Sequence, residues 1–298
     1  MSTRIIINPT AGAGRAATRA VTVRPLLEAA WPDLEWTESH SHHHVTELAA
    51  EAVQSGYERV IVAGGDGTVH FAANGVAGTP TALGVLPVGS GNDVAASVGL
   101  PKDVWTAAAM LTENYIHYVD VGQVGSRLYC CVLGVGMDTP ALQVINASWM
   151  RRGKFLYTWA ALRTLCSYQP QPLTISGAGT PFEGEVFFAA VTNTRTYAGG
   201  FPITPAAAVH DGLLDLCIIP RMGRLRALAT FARLMSGMHV QMPGIVSSQG
   251  VCIQLASDRP LPITLDGELT TLTTPAEVRV LPGALRLLGA PHGKEVKG

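Results

Sequence analysis

The spacing of hydrophobic and polar positions along the chain changes near residue 120. Before that point, short runs rich in β-branched residues alternate with longer runs of helical periodicity. Such alternation is typical of βαβ units around a parallel sheet. The predicted strands lie in the segments RIIIN, DLEWT, RVIVAG and ALGVLP, and the predicted helices span 15–30, 45–55, 68–77, 91–98 and 103–112.

Strand patterns predominate from the segment YVDVGQV onward. They cover 127–135, 173–176, 185–192, 213–219, 250–256, 261–265, 277–281 and 284–288, with helical patterns over 138–147, 155–168 and 223–236. A chain of 298 residues has room for two domains. We therefore predict a nucleotide-binding α/β domain with a Rossmann-like parallel sheet over 1–122, and a mainly-β sandwich domain over 123–298. The last strand or the tail is the segment that could pack back on the first domain.

Composition and charge exclude several classes of protein. Charged residues make up 14% of the chain and the net charge is -1, so nucleic acid is not an expected partner. Hydrophobic residues reach 47%, but charged residues, Gly or Pro interrupt each apolar run before it could span a membrane. The start of the chain lacks the pattern of a signal peptide. We expect a cytoplasmic protein, soluble or peripheral at the inner membrane face, whose five cysteines are reduced.

Three glycines and one aspartate follow the apolar segment RVIVAG. Ligands of open α/β sheets bind beyond the carboxyl ends of the strands, where glycines let the backbone approach phosphate closely. An aspartate there would repel phosphate unless it held a cation, which makes Asp66 a candidate magnesium ligand. The alternative is that Asp66 caps the helix that begins near Thr68.

Two further glycine-bearing turns strengthen the interpretation as a nucleotide site. The segment LGVLPVGSGNDVA ends another apolar strand, and INPTAGAGRAA places Arg15 and Arg19 on the helix after the first strand. Three such strand ends on one parallel sheet predict a nucleotide cleft. The two arginines could supply positive charge over the phosphates.

The motifs INPTAG, GGDGT and LPVGSGNDVA, in this order and at roughly these spacings, resemble the catalytic domain of the diacylglycerol-kinase superfamily in its compact bacterial form. The segments RRGKFLY, TPAAAVHDGLLDL and LDGEL extend the resemblance over most of the chain. It implies phosphorylation of a lipid hydroxyl, on diacylglycerol or a related lipid at the membrane surface. ATP would be the co-substrate and Mg²⁺ the cofactor, with direct γ-phosphoryl transfer in a cleft between the domains. A homodimer is left open.

The resemblance also implies roles for individual residues. Glu268, with Asp266 close behind, would accept the proton of the attacking hydroxyl, and Asp66 would serve the catalytic magnesium. A structural metal would bind Asp211 and the carbonyl groups of Ala208 and Leu213. The implied ATP contacts are Asn8, Pro9, Thr10, Ala11, Gly12, Thr37, Gly64, Gly65, Asp66, Gly67, Thr68, Ser90, Asn92 and Asp93.

Two positions depart from the family pattern. Ser90 stands where the family usually has Thr, which keeps the hydroxyl group. The first loop has Ala13-Gly14-Arg15 where a Lys is often found nearby, so the cation that meets the phosphates stays open.

Three alternative functions are compatible with parts of the sequence. GAGRAA at 12–17 satisfies the G-x-G-x-x-A pattern of a Rossmann oxidoreductase, with Glu35 as the ribose-binding acid. A NAD kinase-like phosphotransferase shares the GGDG motif, and a non-catalytic protein that binds nucleotide or lipid could share the fold. Retention of Asp66, Asp93, Asp211 and Glu268 together favours an enzyme.

Two conspicuous segments have more than one interpretation. Four histidines, His40 and 42–44, could bind a transition metal, but their irregular spacing favours a solvated loop or the start of a helix. The segment 149–168 mixes aromatic with basic residues, which suits the interface of an anionic membrane. A core helix with an exposed basic end explains the same pattern equally well.

Overall fold

Two structural units make up the part of the chain that the computed structural model describes, residues 2–150 and 153–291. The first unit contains the residues up to Val119 and those from Gly283 onwards, and the second contains Asp120–Pro282. The chain thus leaves the first unit at Val119 and contributes to it again with the end of its last strand.

A parallel sheet forms the centre of the first unit. Each residue of its first, third and fourth strands is buried, as expected for strands that are covered on both faces. The strands pair in the order β2-β1-β3-β4, and Leu287 of the last strand pairs with Leu83 in the same direction. The four strands are β1 (Thr3–Ile7), β2 (Leu34–Glu38), β3 (Arg59–Gly64) and β4 (Ala82–Pro87).

The helices of the first unit follow the predicted pattern, except that one predicted helix is divided into two. The predicted helix 15–30 forms two helices that meet at Val23, and Pro25 lies in the first turn of the second, where its missing N–H has no helical partner to lose. A short helix at the end of the first loop was not predicted. The helices are α1 (Ala11–Gly14), α2 (Ala16–Thr22), α3 (Arg24–Ala30), α4 (His42–Gln54), α5 (Asp66–Val76), α6 (Asp93–Ser97) and α7 (Val104–Thr112).

Antiparallel strands dominate the second unit. One sheet path runs β14-β13-β7-β9-β8-β12-β15, and β10 pairs with both β9 and β11. Alternate residues of these strands form one apolar core, which includes Leu133, Val191 and Ile253. The strands are β5 (Ile116–Val124), β6 (Arg127–Tyr129), β7 (Val132–Gly136), β8 (Gln171–Ser176), β9 (Phe182–Thr192), β10 (Leu214–Pro220), β11 (Val246–Gly250), β12 (Cys252–Ala256), β13 (Pro262–Leu265), β14 (Glu268–Thr273) and β15 (Ala276–Leu288).

Three helices of the second unit pack on one another. They are α8 (Asp138–Asn146), α9 (Lys154–Ser167) and α10 (Arg224–Leu234), and a 3₁₀ turn, Met238–Gln241, follows the last. Buried apolar side chains join α8 to α9, and α10 also contacts α9. None of the helices in residues 2–150 and 153–291 is long and apolar enough to cross a membrane.

Several predicted strand boundaries were wrong. The predicted strand 127–135 is interrupted at Cys130 and Cys131, and 277–281 and 284–288 belong to one strand, β15. β11 and β14 were not predicted, because their residues are mostly half-buried or exposed and give no apolar run.

Candidate functional site

Three loops of the first unit leave the same edge of the parallel sheet. They follow β1, β3 and β4, and the register places Ile7 beside Ala63 and Gly64 beside Pro87. The predicted site residues of this unit lie in these loops or at the adjoining ends of the strands and helices that the loops connect, except Thr37, which lies in β2. The Thr37 hydroxyl donates a hydrogen bond to Glu35 Oε1 at 3.3 Å.

The loops that follow β3 and β4 contact each other at glycine residues. A Cβ atom at Gly65 would lie 3.1 Å from the Cα atom of Gly89, and one at Gly89 would lie 2.8 Å from Oδ1 of Asn92. In the first loop, Gly12 has φ +60° and a Cβ there would collide with the carbonyl oxygen of Val88. Because any side chain would separate the loops, glycine is required where they meet.

Asp66 organises the loop that follows β4. Its Oδ2 accepts a hydrogen bond from the backbone N–H of Asn92 at 2.7 Å, and its Oδ1 accepts one from that of Val94 at 3.0 Å. The carboxylate therefore satisfies N–H groups at the start of α6, the helix that follows β4. Asp66 thus caps a helix, α6, that lies beyond the next strand along the chain.

Asn92 closes the turn that Asp66 holds. It adopts a left-handed conformation with φ 61°, and its side chain bonds both the N–H and the carbonyl of Gly89 at 3.1 Å. Asp93, which follows it, is buried, whereas Ser90 at the tip of the loop is exposed. The loop thus presents the Ser90 hydroxyl group at its exposed tip.

Asn8 joins the first loop to α5. Its buried side chain donates to Oγ1 of Thr68 at 3.0 Å and accepts from the N–H of Thr10 at 3.1 Å. Arg15 is exposed and its Nε donates to the carbonyl oxygen of Gly12 at 3.3 Å. The structure therefore brings the three predicted motifs into one connected network of loops.

A tight turn between β13 and β14 carries both candidate bases of the second unit. Asp266 and Gly267 have φ 50° and 80°, and Leu265 pairs with Glu268 across the turn. Positive φ at both central positions is the geometry that the Asp-Gly pair favours. The side chain of Glu268 is half-buried.

The Asp266 carboxylate anchors this turn to the segment that joins β6 to β7. Oδ1 accepts hydrogen bonds from the N–H groups of Cys131 and Val132 at 2.7 and 2.9 Å, and Oδ2 accepts one from Cys130 at 2.8 Å. The same contacts explain why the strand is interrupted at the two cysteines, since their N–H groups point to a side chain. The two candidate bases thus differ in environment.

Carboxylates surround the turn that was predicted to hold a structural metal. Asp120 Oδ2 accepts from the N–H of Gly212 at 2.7 Å, and Asp211 Oδ1 accepts from that of Leu213 at 3.1 Å. Asp215 Oδ2 is buried and has no hydrogen-bond partner among the described residues, and burial, together with the nearby Asp211 charge, raises the pKa of Asp215 to about 6. Sequence reasoning missed Asp120 and Asp215, although the second lies in the quoted HDGLLDL.

Oxygen donors of this kind suit a hard divalent cation. Within residues 2–150 and 153–291, no three His, Cys, Asp or Glu side chains are grouped to hold a metal by themselves. A cation at the Asp211 turn would therefore need carbonyl oxygens as well, and Ala208 and Leu213 are close along the chain. The residues present fit such a site.

An apolar cavity of about 100 Å³ lies within the second unit. Side chains of α8, α9 and α10 line it, together with Phe188, Phe201 and Ile219. Polar residues of its wall include Asp138 and Tyr197, and the Tyr197 hydroxyl donates to the Asp138 carboxylate at 3.2 Å.

The polar end of this cavity adjoins the turn that carries Glu268. A Cβ atom at Gly267 would lie 3.5 Å from the Tyr197 hydroxyl oxygen. Asp138 also accepts from Oγ1 of Thr264 at 2.5 Å, and burial raises its pKa. Sequence reasoning missed Asp138 and Tyr197, because only the folded chain shows that both line a cavity.

Comparison with known proteins decides the family. Residues 2–124 match the family described as Diacylglycerol kinase catalytic domain, and residues 131–289 match that described as YegS C-terminal NAD kinase beta sandwich-like domain. The chain belongs to the diacylglycerol kinase family of lipid kinases. The predicted fold class and the predicted resemblance are both confirmed.

Relatives in this family span nearly the whole chain. A protein named Diacylglycerol kinase from Mycobacterium tuberculosis is 29% identical, over 97% of this chain and 95% of its own. One named "Probable lipid kinase YegS-like" from Pseudomonas putida is 31% identical, over 70% and 72%. A Bacillus anthracis crystal structure has a TM-score of 0.83 with 25% identity and covers 97% of each chain. The prediction of a lipid kinase is therefore confirmed.

Membership of the diacylglycerol kinase family argues against the alternative function of an oxidoreductase. The proposed ribose-binding acid, Glu35, is already engaged by Arg4 at 3.2 Å and by the hydroxyl of Tyr57. The bond from Tyr57, followed by that from Arg4, lowers the pKa of Glu35. Glu35 is thus part of a polar cluster around β2.

The histidine-rich segment begins helix α4. Ser41 caps this helix by accepting from the N–H of His44 at 3.1 Å, and the rings of His40 and His44 stack at 5.0 Å. A helix start was one of the two interpretations of this segment, and the contacts are those expected for it.

Proposed function

We propose that this lipid kinase transfers the γ-phosphate of ATP to a hydroxyl group of diacylglycerol or a related lipid, with Mg²⁺ as cofactor. The observation that carries the proposal is the apolar cavity whose polar end adjoins the turn bearing Glu268. An apolar cavity suits a lipid acyl chain better than a polar acceptor such as a nucleotide. The first domain, 1–122, would bind the nucleotide, and the second, 123–298, the lipid.

The three connected loops would hold ATP. Backbone N–H groups at close-packed glycines can approach phosphate oxygens, and the N-terminus of α5 favours negative charge. Asp66 would fix the loop that presents Ser90, while Arg15 could bring positive charge to the first loop. The proposed ATP contacts are Asn8, Pro9, Thr10, Ala11, Gly12, Thr37, Gly64, Gly65, Asp66, Gly67, Thr68, Ser90, Asn92 and Asp93.

Glu268 would act as the general base. It would accept the proton of the acceptor hydroxyl while that oxygen bonds to the γ-phosphorus and ADP departs. Asp266 is less suited, because its two oxygens already accept three backbone hydrogen bonds. Its proposed role is to position the turn.

Magnesium would bind at two positions. Bound with ATP, it would neutralise charge on the phosphates, and the Asp66 carboxylate would hold the ion or its water beside them. The structural metal would bind Asp211 and the carbonyl oxygens of Ala208 and Leu213. The unpartnered, buried Asp215 Oδ2 nearby supports a cation at this turn.

The reaction would take place at the inner face of the membrane, with the protein otherwise in the cytoplasm. Transfer of labelled γ-phosphate from ATP to a total lipid extract in detergent micelles tests the activity, with magnesium present. A labelled, chloroform-soluble product is expected. A labelled product only in a parallel reaction with NAD would instead indicate a NAD kinase-like activity, and nucleotide binding without any product would indicate a sensor.

The cavity can be tested by filling it. Ala161 lines it from α9, and Ala161→Phe should raise the KM for the lipid acceptor by about tenfold or more while the Kd for ATP stays unchanged. Titration of micelles at fixed ATP gives the KM, and calorimetry gives the Kd. Ala109→Phe, at an exposed position of α7, is the matched control. Equal KM values for the two variants would contradict lipid binding in the cavity.

A further inference from the structure

Two long segments of the second unit contain no acidic residue. Neither 139–182 nor 216–257 has any Asp or Glu, although the whole chain has 22 of them. The first segment carries Arg151, Arg152, Lys154 and Arg163, and the second carries Arg221, Arg224, Arg226 and Arg233. A chain of net charge -1 therefore concentrates positive charge in the segments that contain α9 and α10. Arg151 and Arg152 lie outside the described residues.

Exposed aromatic side chains accompany this charge on α9. Phe155 is 76% exposed and Trp159 37%, and with Arg163 they follow an i, i+4, i+8 spacing that places them on one side of the helix. Trp149, which precedes α9, is 95% exposed. These aromatic residues and Arg163 also line a groove beside the end of α8.

Helix α10 repeats the combination. Leu225, Leu228 and Met235 are exposed at an i, i+3, i+10 spacing, and Met238 in the following 3₁₀ turn is half exposed. Arg224 and Arg233 are exposed on the same helix. Since α10 contacts α9, the two stripes belong to adjacent helices.

The other sides of the same helices line the apolar cavity. Tyr157 and Ala161 of α9 and Phe231 and Leu234 of α10 form part of its wall. Lys154 Nζ lies 5.4 Å from the ring centre of Phe201, another cavity residue. One helical layer thus separates exposed aromatic and basic side chains from the cavity.

We propose that α9 and α10 form a docking face for a membrane that contains anionic lipids. The face consists of Trp149, Lys154, Phe155, Trp159, Arg163, Arg224, Leu225, Leu228, Arg233, Met235 and Met238. Tryptophan and aliphatic side chains insert at the boundary between head groups and acyl chains, and cations in segments that contain no acidic residue are attracted to anionic head groups. A protein partner of ordinary mixed charge would not need this one-sided composition. The inference rests on the proposed function, because it brings the lipid source beside the cavity.

Sedimentation of the full chain with vesicles tests this face, without ATP or acceptor turnover. Vesicles of phosphatidylglycerol and phosphatidylcholine should bind the protein, and phosphatidylcholine alone should bind it at least tenfold more weakly. Added salt should weaken binding to the anionic vesicles. The double variants Phe155→Ser/Trp159→Ser and Leu225→Ser/Leu228→Ser should each lose at least tenfold in vesicle affinity. Trp105→Ser, an exposed tryptophan of α7, is the control and should bind like the wild type.

Equal vesicle affinity for the double variants and the control would overturn the proposal. A face that joins two copies of the chain would also overturn it. In that case the wild type would form a dimer in equilibrium sedimentation, both double variants would be monomers, and the wild type would not bind vesicles. Circular dichroism verifies that each variant is folded. A water-soluble, short-chain diacylglycerol separates docking from chemistry: the folded variants should phosphorylate it at the wild-type rate. If the wild type itself phosphorylates no lipid, the proposed function fails, and vesicle binding still decides the docking face.

Discussion

Glu268→Gln should lower kcat by about 100-fold or more while leaving the affinity for ATP close to that of the wild type. Glutamine keeps the size of the side chain but cannot accept the proton of the attacking hydroxyl, and a positioned general base typically contributes 10²–10⁴-fold. Single-turnover transfer of labelled phosphate to lipid measures the chemical step, and calorimetry measures ATP binding. Glu183→Gln, at an exposed position of β9, is the matched control.

Substitution of Asp266, the neighbouring carboxylate, tests the other candidate base. Asp266→Asn should also reduce turnover, but together with a loss of about 1–3 kcal/mol in the free energy of unfolding, because an amide offers one oxygen to three backbone donors. Denaturant unfolding monitored by circular dichroism measures that loss. A normal rate for Glu268→Gln, together with lost turnover in a fully stable Asp266→Asn, would contradict these roles. Asp266 would then be the general base, and Glu268 would not.

The architecture of the protein could be predicted because its signals are local. Periodicity within one segment distinguishes the strands and helices of the first unit, and the continuous burial of β3 and β4 appears in the sequence as unbroken apolar runs. β14 escaped prediction for the converse reason. Its residues alternate between half-buried and exposed and are mostly polar, so only the Asp-Gly turn before it indicates a hairpin.

The contacts within the candidate site could not be predicted, because they join residues that are distant along the chain. Asp66 holds a backbone N–H 26 residues away, and Asp266 holds one 136 residues away. A sequence pattern can indicate that a carboxylate follows a strand, but the partner depends on which strands become neighbours. The same limit hid the Tyr197–Asp138 pair, since 59 residues separate its members. Resemblance to a family supplied the candidate positions, and folding supplied their partners.

Asp66→Ala should abolish measurable phosphoryl transfer and weaken ATP binding. Removal of the carboxylate leaves the N–H groups of Asn92 and Val94 without their acceptor, so the loop from Gly89 to α6 loses its anchor. The proposed ligand of the catalytic magnesium disappears with it. The expected loss in the free energy of unfolding is about 1–3 kcal/mol, as for a buried donor left unsatisfied.

Asp103→Ala separates the loss of a helix cap from the loss of the site. Asp103 caps α7 by accepting from the N–H of Thr106 at 2.8 Å, so its removal also costs a cap, worth about 1 kcal/mol. Asp103→Ala should nevertheless keep wild-type turnover and ATP affinity, because α7 carries none of the proposed site residues. Unfolding curves, calorimetry and labelled phosphate transfer on both variants make the comparison. Turnover in Asp66→Ala within a fewfold of that in Asp103→Ala would mean that Asp66 only stabilises the fold, and the magnesium-binding role would then have to be given to another residue.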